Sequence, residues 1–225
     1  MTERLALPGY RAAIVDLLGL LALGQLSGFT RLAADAELAP CVVLQARMAG
    51  LAVTEFGHYR RLESALTGLD AEPECAMAPF RSTFELFHAR TRPSTWLEGV
   101  IKAYVGDAIA TDFYREVAGY VDPPIRALIE QTLADEGRSD FLVQVAREAM
   151  VTDPGVSGRL ALWARRLVGE ALTQAQTVAV ERDSLAELLA GRYGGPGADL
   201  AELARMFQRL TDAHIARMAR LGLSA

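Results

Sequence analysis

Lysine is all but missing from this chain. Of its 23 basic residues only Lys102 is a lysine, and the rest are arginines, a bias that fits GC-rich coding better than a binding signal. Against 28 acidic residues they leave a net charge of −5, which disfavours a general nucleic-acid binder and leaves room only for a local basic patch. Cysteine is nearly absent too: Cys41 and Cys75 are too few for a disulfide framework and are expected to be structural. Long apolar runs are lacking, since the longest, from Leu17 to Gly24, is closed by Asp16 and Gln25 and is too short to cross a bilayer. No basic segment, apolar stretch and cleavage site follow one another near Met1. The expectation is a soluble, cytoplasmic protein without a membrane partner. Period-two alternation and Asn-Gly turn pairs are absent, which argues against strands. A glycine-rich phosphate loop, a CxxC pair and a local Ser-His-Asp arrangement are missing as well, so phosphoryl transfer and nucleophilic hydrolysis have no support.

What is present is helical. Hydrophobic residues make up 51% and charged residues 23% of the 225, with alanine and leucine dominant and aromatics at 7%. That length and composition predict a single compact domain spanning 1–225. Proline and glycine divide it. Pro8-Gly9 precedes a helix from about Tyr10 to Glu37, and Pro40 opens a second from about Cys41 to Leu66. Thr67 to Pro79 reads as a loop and Phe80 to Ala89 as a short helix. Ser94 is a plausible N-cap for a third long helix reaching Tyr120. Asp122-Pro123-Pro124 starts a fourth, ending near Met150. A fifth covers Val156 to Ala190 and a sixth Asp199 to Leu221. The expected fold is all-α: an antiparallel four-helix bundle over about 10–151 with two additional C-terminal helices over about 156–221.

Residues three, four and seven apart share a helix face, so polar residues among apolar neighbours must point inward. Gln25 stands among Leu18, Leu21, Ala22, Gly28, Phe29 and Leu32. Glu55 stands among Met48, Leu51, Ala52, Tyr59 and Leu62, with His58 one turn on. Asp107 has Val100, Ala103, Tyr104, Ala110 and Tyr114. On the fourth helix either Asp135 or Glu136 can face inward, with Asp135 preferred and Arg138 one turn beyond. An isolated buried carboxylate costs several kcal/mol unless paired or bound to a cation. Either a metal site or a metal-free network neutralised by Arg138 and His58 answers that cost. Tyr114 lies two turns from Asp107 and reads as a redox or hydrogen-bonding neighbour, or as a core tyrosine. His88 and His214 lack acidic or cysteine partners at ligand spacing and read as surface or packing residues. Arg159, Arg165 and Arg166, like Arg60 and Arg61, read as solvated faces.

LGQLSGFTRLAADAELAP at 23–40, AVTEFGHYRRL at 52–62, YVGDAIATDFYRE at 104–116 and LADEGRSDF at 133–141 resemble the ferritin-like superfamily, and more narrowly its bacterial MiaE-like, tRNA hydroxylase-like members. The resemblance covers about Tyr10 to Ala190. It implies a carboxylate from helix one, E-x-x-H from helix two, a carboxylate from helix three and E-x-x-H from helix four. Gln25 falls at the first position, Glu55 and His58 keep the second, Asp107 holds the third, and Asp135-x-x-Arg138 lies in the pattern of the fourth with arginine in place of histidine. A neutral amide ligates weakly and a guanidinium not at all. Two functions follow from these residues. One is a metal-free or metal-poor binding or scaffold protein on a degenerate di-metal site, with a small molecule or a protein as partner. The other is a non-haem oxygen-activating hydroxylase, with di-iron, mononuclear iron or manganese held by Glu55, His58, Asp107 and Asp135 and tuned by Gln25 or Tyr114. The acidic balance disfavours tRNA as substrate, and a homodimer is the expected assembly on general grounds.

Overall fold

The computed structural model describes residues 3–134 and 138–224, without the side chains of Asp107, Arg138, Ser139 and Val180. Among these residues every regular element is a helix. The long ones are α1 (Pro8–Asp35) and α2 (Val42–Gly68), followed by the short α3 (Pro73–Met77) and α4 (Arg81–Arg90). Next come α5 (Trp96–Ile101), a π-helical turn (Lys102–Gly106) and α6 (Asp107–Ala118). The chain continues through α7 (Pro123–Thr132), α8 (Arg138–Thr152), α9 (Val156–Glu181), α10 (Asp183–Leu189) and α11 (Leu200–Leu221).

Proline at the first turn opens α1, α3 and α7, where its missing N–H is not needed and its φ is already helical. The N-cap of α5 is Thr95 rather than Ser94: Thr95 Oγ1 accepts from Glu98 N at 3.3 Å, while Ser94 N and Oγ both donate to Glu98 Oε2. Asp199 caps α11 from just outside it, accepting from Glu202 N at 2.7 Å.

Helices α1 and α2 run antiparallel. Arg11 pairs with Asp70, Gln25 meets His58, and Gly28 lies beside Glu55, so one number falls as the other rises. The α5–α6 stretch, including its π turn, and α7–α8 supply the other two members of a four-helix bundle. Helix α9 packs on α4, α5 and the π turn, and α11 packs on α6 and α8. Helix α1 is long and apolar enough by composition to cross a bilayer, a property the single run from Leu17 to Gly24 did not reveal. More than half of that stretch is buried inside the fold, which is the environment of a core helix. Tyr10, Ile14, Leu17, Leu18 and Leu21 are fully buried on it, and each apolar side chain so placed contributes about 1.5–3 kcal/mol.

Several expected boundaries differ. The stretch 67–79, expected as a loop, contains α3, whose Ala76 carbonyl packs directly on Gly19 of α1. The fourth helix is two, because α7 ends at Thr132 and α8 begins at Arg138. The fifth is also two, broken at Arg182. Arg182 donates to Asp16 Oδ1 at 2.5 Å and Ser184 donates to Asp16 Oδ2, so the break turns α10 back onto α1 and satisfies a buried acid. Cys41 and Cys75 are free and exposed, so neither serves packing as expected.

Candidate functional site: a polar layer and cavity inside the bundle

The apolar interior falls into two clusters. One gathers residues from the first turns of α1 and the last turns of α2, such as Leu18 and Leu62; the other gathers Leu32, Met48 and Ala52 with the α5–π segment. Between them lies a polar layer formed by Gln25, Glu55 and His58, with 9%, 4% and 4% of their surfaces exposed. Sequence periodicity placed these three inward, and there they are. His58 Nδ1 donates to Gln25 Oε1 at 3.2 Å and stands 3.8 Å from Glu55 Oε2. Both oxygens therefore face the same nitrogen, which carries a hydrogen when an amide oxygen is its acceptor.

A cavity of about 160 Å³ adjoins this layer. The stripe Leu20, Gly24, Gln25, Gly28, Arg31 and Asp35 of α1 forms one wall. The two glycines make that wall thin: a methyl group at Gly24 would stand 3.3 Å from the Tyr114 hydroxyl, and one at Gly28 would stand 3.6 Å from Glu55 Cγ. Phe84, Phe87 and His88 of α4, small residues Ala103 and Gly106 of the π turn, and Ala171 and Ala175 of α9 complete it. Tyr114 lines the cavity as well. Burial pushes its phenol well above the usual range, so it is a neutral hydroxyl at ordinary pH.

At the end of the cavity away from Tyr114 is a polar group that periodicity did not single out: Arg31, Asp35, Lys102 and His88. Lys102 Nζ donates to the Thr91 carbonyl at 2.7 Å and sits 5.5 Å from the Phe87 ring centre. His88 packs edge-on against Phe87 at 5.2 Å, and its two ring nitrogens are buried without a hydrogen-bond partner among the described residues. Burial first, then the charges of Lys102 and Arg31, push its pKa down to about 3. Burial likewise raises the Asp35 carboxyl, against the pull of Lys102 and Arg31. Reading His88 as a surface or packing residue thus missed its place in a cavity wall. The available signal was Lys102 itself, the one lysine, set inside the apolar run Val100 to Val105. His214 is buried and serves packing, while Arg159, Arg165 and Arg166 are solvent-exposed as expected.

The side chains of Asp107 and Arg138, and residues Asp135 and Glu136 altogether, lie outside the described residues. Among those described, no three His, Cys, Asp or Glu side chains are grouped as metal ligands. The described side chains of the layer offer one carboxylate, one imidazole and one amide, and the imidazole nitrogen facing Gln25 Oε1 carries a hydrogen when that oxygen is its acceptor.

An all-α bundle with an E-x-x-H pair buried on α2 and a polar layer across its middle defines a ferritin-like protein. A family model described as the ferritin-like domain of actinomycetes matches residues 8–192, from the start of α1 through α10. The chain belongs to that family. A search of curated proteins finds no match.

Proposed function

We propose that this ferritin-like protein is a binding protein: the space beside its polar layer takes a small organic molecule instead of two metal ions. The observation that carries this reading is the His58–Gln25 hydrogen bond at 3.2 Å, made where a metal centre would need two ligating groups directed at an ion. That hydrogen bond joins two of the layer's three polar groups into a polar floor, and the thin α1 wall at Gly24 and Gly28 leaves room above it. An apolar cavity of about 150 Å³ accommodates benzene, so a cavity of this size suits a body of six to eight heavy atoms.

Benzene titrated into the purified protein is therefore expected to bind saturably, one molecule per chain, by calorimetry or by chemical-shift change. Gly28→Leu, which places a side chain in the cavity from a half-buried helix position, is expected to abolish that binding while the helical circular dichroism is retained. Absence of saturable binding to the folded wild type would overturn the reading.

A second reading rests on a specific observation: Glu55 and His58 remain together and buried on α2, the pair that MiaE-like hydroxylases would use. In that reading the chain is a non-haem iron or manganese hydroxylase, and Asp107 with Asp135 or Glu136 supplies the remaining carboxylates.

A further inference from the structure

The Tyr114 hydroxyl is a buried donor in the cavity wall. Only 6% of the residue's surface is exposed, and the hydroxyl meets no hydrogen-bond partner among the described residues. Burial is the sole cause of its raised pKa, so the proton stays on the phenol and no neighbouring charge acts on it. Burying such a donor without an acceptor is costly unless something completes it. Glycine at position 24 leaves the space for that. A Cβ there would stand 3.3 Å from the hydroxyl oxygen and 3.5 Å from the Phe84 ring, so both border one gap where α1 carries no side chain. Arg90 pairs with Glu170 at 3.2 Å and Arg182 lies over Phe80 at 5.6 Å, so α4 and α9 run antiparallel. Val178 is therefore level with Phe84, and the buried amide of Gln174 stands one turn further along, level with Phe87. Arg31 lies two turns, about 10 Å, along α1 from Gly24, so the hydroxyl belongs to the end of the cavity remote from the charged group.

We infer that the ligand is a small uncharged carbonyl compound, its oxygen accepting from the Tyr114 hydroxyl and its apolar body lying between Phe84 and the glycine wall of α1. This rests on the binding reading above and names the ligand class for the same cavity. Hydrogen-bond matching, charge and size each exclude alternatives. A carbonyl oxygen takes the phenol hydrogen and brings no donor of its own, so the pair leaves no hydrogen over. Two facing hydroxyls make one hydrogen bond and leave one hydrogen without an acceptor, which disfavours an alcohol. An ion beside the hydroxyl would lose its hydration where no charge acts to replace it. A body much larger than a benzene ring exceeds about 160 Å³.

The test is titration of cyclohexanone, cyclohexanol, cyclohexanecarboxylate and methylcyclohexane into wild type and Tyr114→Phe, followed by chemical-shift change. The variant removes only the hydroxyl and is expected to keep the helical circular dichroism. Cyclohexanone is expected to bind wild type more tightly than the alcohol or the carboxylate, and to lose about fivefold in affinity in Tyr114→Phe. Methylcyclohexane, of the same shape without the acceptor, should bind the variant at least as well as wild type. Gly24→Ala, which sets a methyl group in the gap before the hydroxyl, should weaken the ketone in a chain that keeps Tyr114. Saturable binding of benzene with equal ketone affinity in wild type and Tyr114→Phe, or tighter binding of the alcohol or carboxylate than of the ketone, would overturn this inference and leave the binding reading standing. Failure of benzene and of all four probes to bind folded wild type would overturn both.

Discussion

At the scale of the residue, the informative groups are those whose environment disagrees with their chemistry. His88 is the sharpest case. In the unfolded chain it titrates at about 6.5, but in the fold burial and two neighbouring cations hold it down to about 3. Between those values the unfolded state binds the extra proton, so stability falls as the pH drops below 6.5 and the loss is complete near the folded value. Denaturant titrations at pH 7 and pH 5 should show wild type losing about 2 kcal/mol more than His88→Phe over that interval. Equal losses in the two proteins would place His88 in solvent instead. The raised carboxyl of Asp35 acts in the opposite sense, and it is common to both proteins. Gln25, Glu55 and His58 were legible from sequence because each interrupts an apolar helix face. Arg31, Asp35 and His88 were not, because α4 is short and its packing against α1 and α9 is a tertiary fact that no period within one helix encodes.

At the scale of the element, proline marked helix starts reliably and tertiary contacts set the interruptions. Pro8 and Pro123 stand at the first turns of α1 and α7. The π turn at Lys102–Gly106, the end of α7 at Thr132 and the break at Arg182 carry no proline, and a plain 3.6-residue reading runs straight through them. Such a turn adds a residue to one helical loop and shifts the register after it. It lets buried Lys102 and cavity-lining Ala103, Gly106 and Ala110 belong to one continuous stretch. Glycines within helices tell the same story. A Cβ at Gly19 would come within 2.2 Å of the Ala76 carbonyl oxygen, whereas one at Gly57, in the middle of α2, meets nothing within 4 Å. Gly19→Ala should therefore destabilise by about 1–3 kcal/mol, forcing α3 away from α1. Gly57→Ala should stabilise by up to about 1 kcal/mol. Thermal melts of the two variants check this, and a neutral Gly19→Ala would show that α3 is not docked on α1.

At the scale of the whole molecule, two apolar clusters are held apart by a polar layer, and the cavity opens beside that layer. The layer sits where a ferritin-like protein would carry its metals, and membership in the ferritin-like family makes the metal question the decisive one. Among its described side chains His58 bonds to Gln25 and stands 3.8 Å from Glu55, and the cavity beside them is the space that the binding reading assigns to a small molecule. The most direct test is elemental analysis of the untagged wild-type protein, purified without chelator and loaded anaerobically with iron(II). The account predicts iron and manganese well below one ion per chain, unchanged by Glu55→Ala. About two irons per chain, lost in Glu55→Ala, would contradict it and establish the layer as a dinuclear centre.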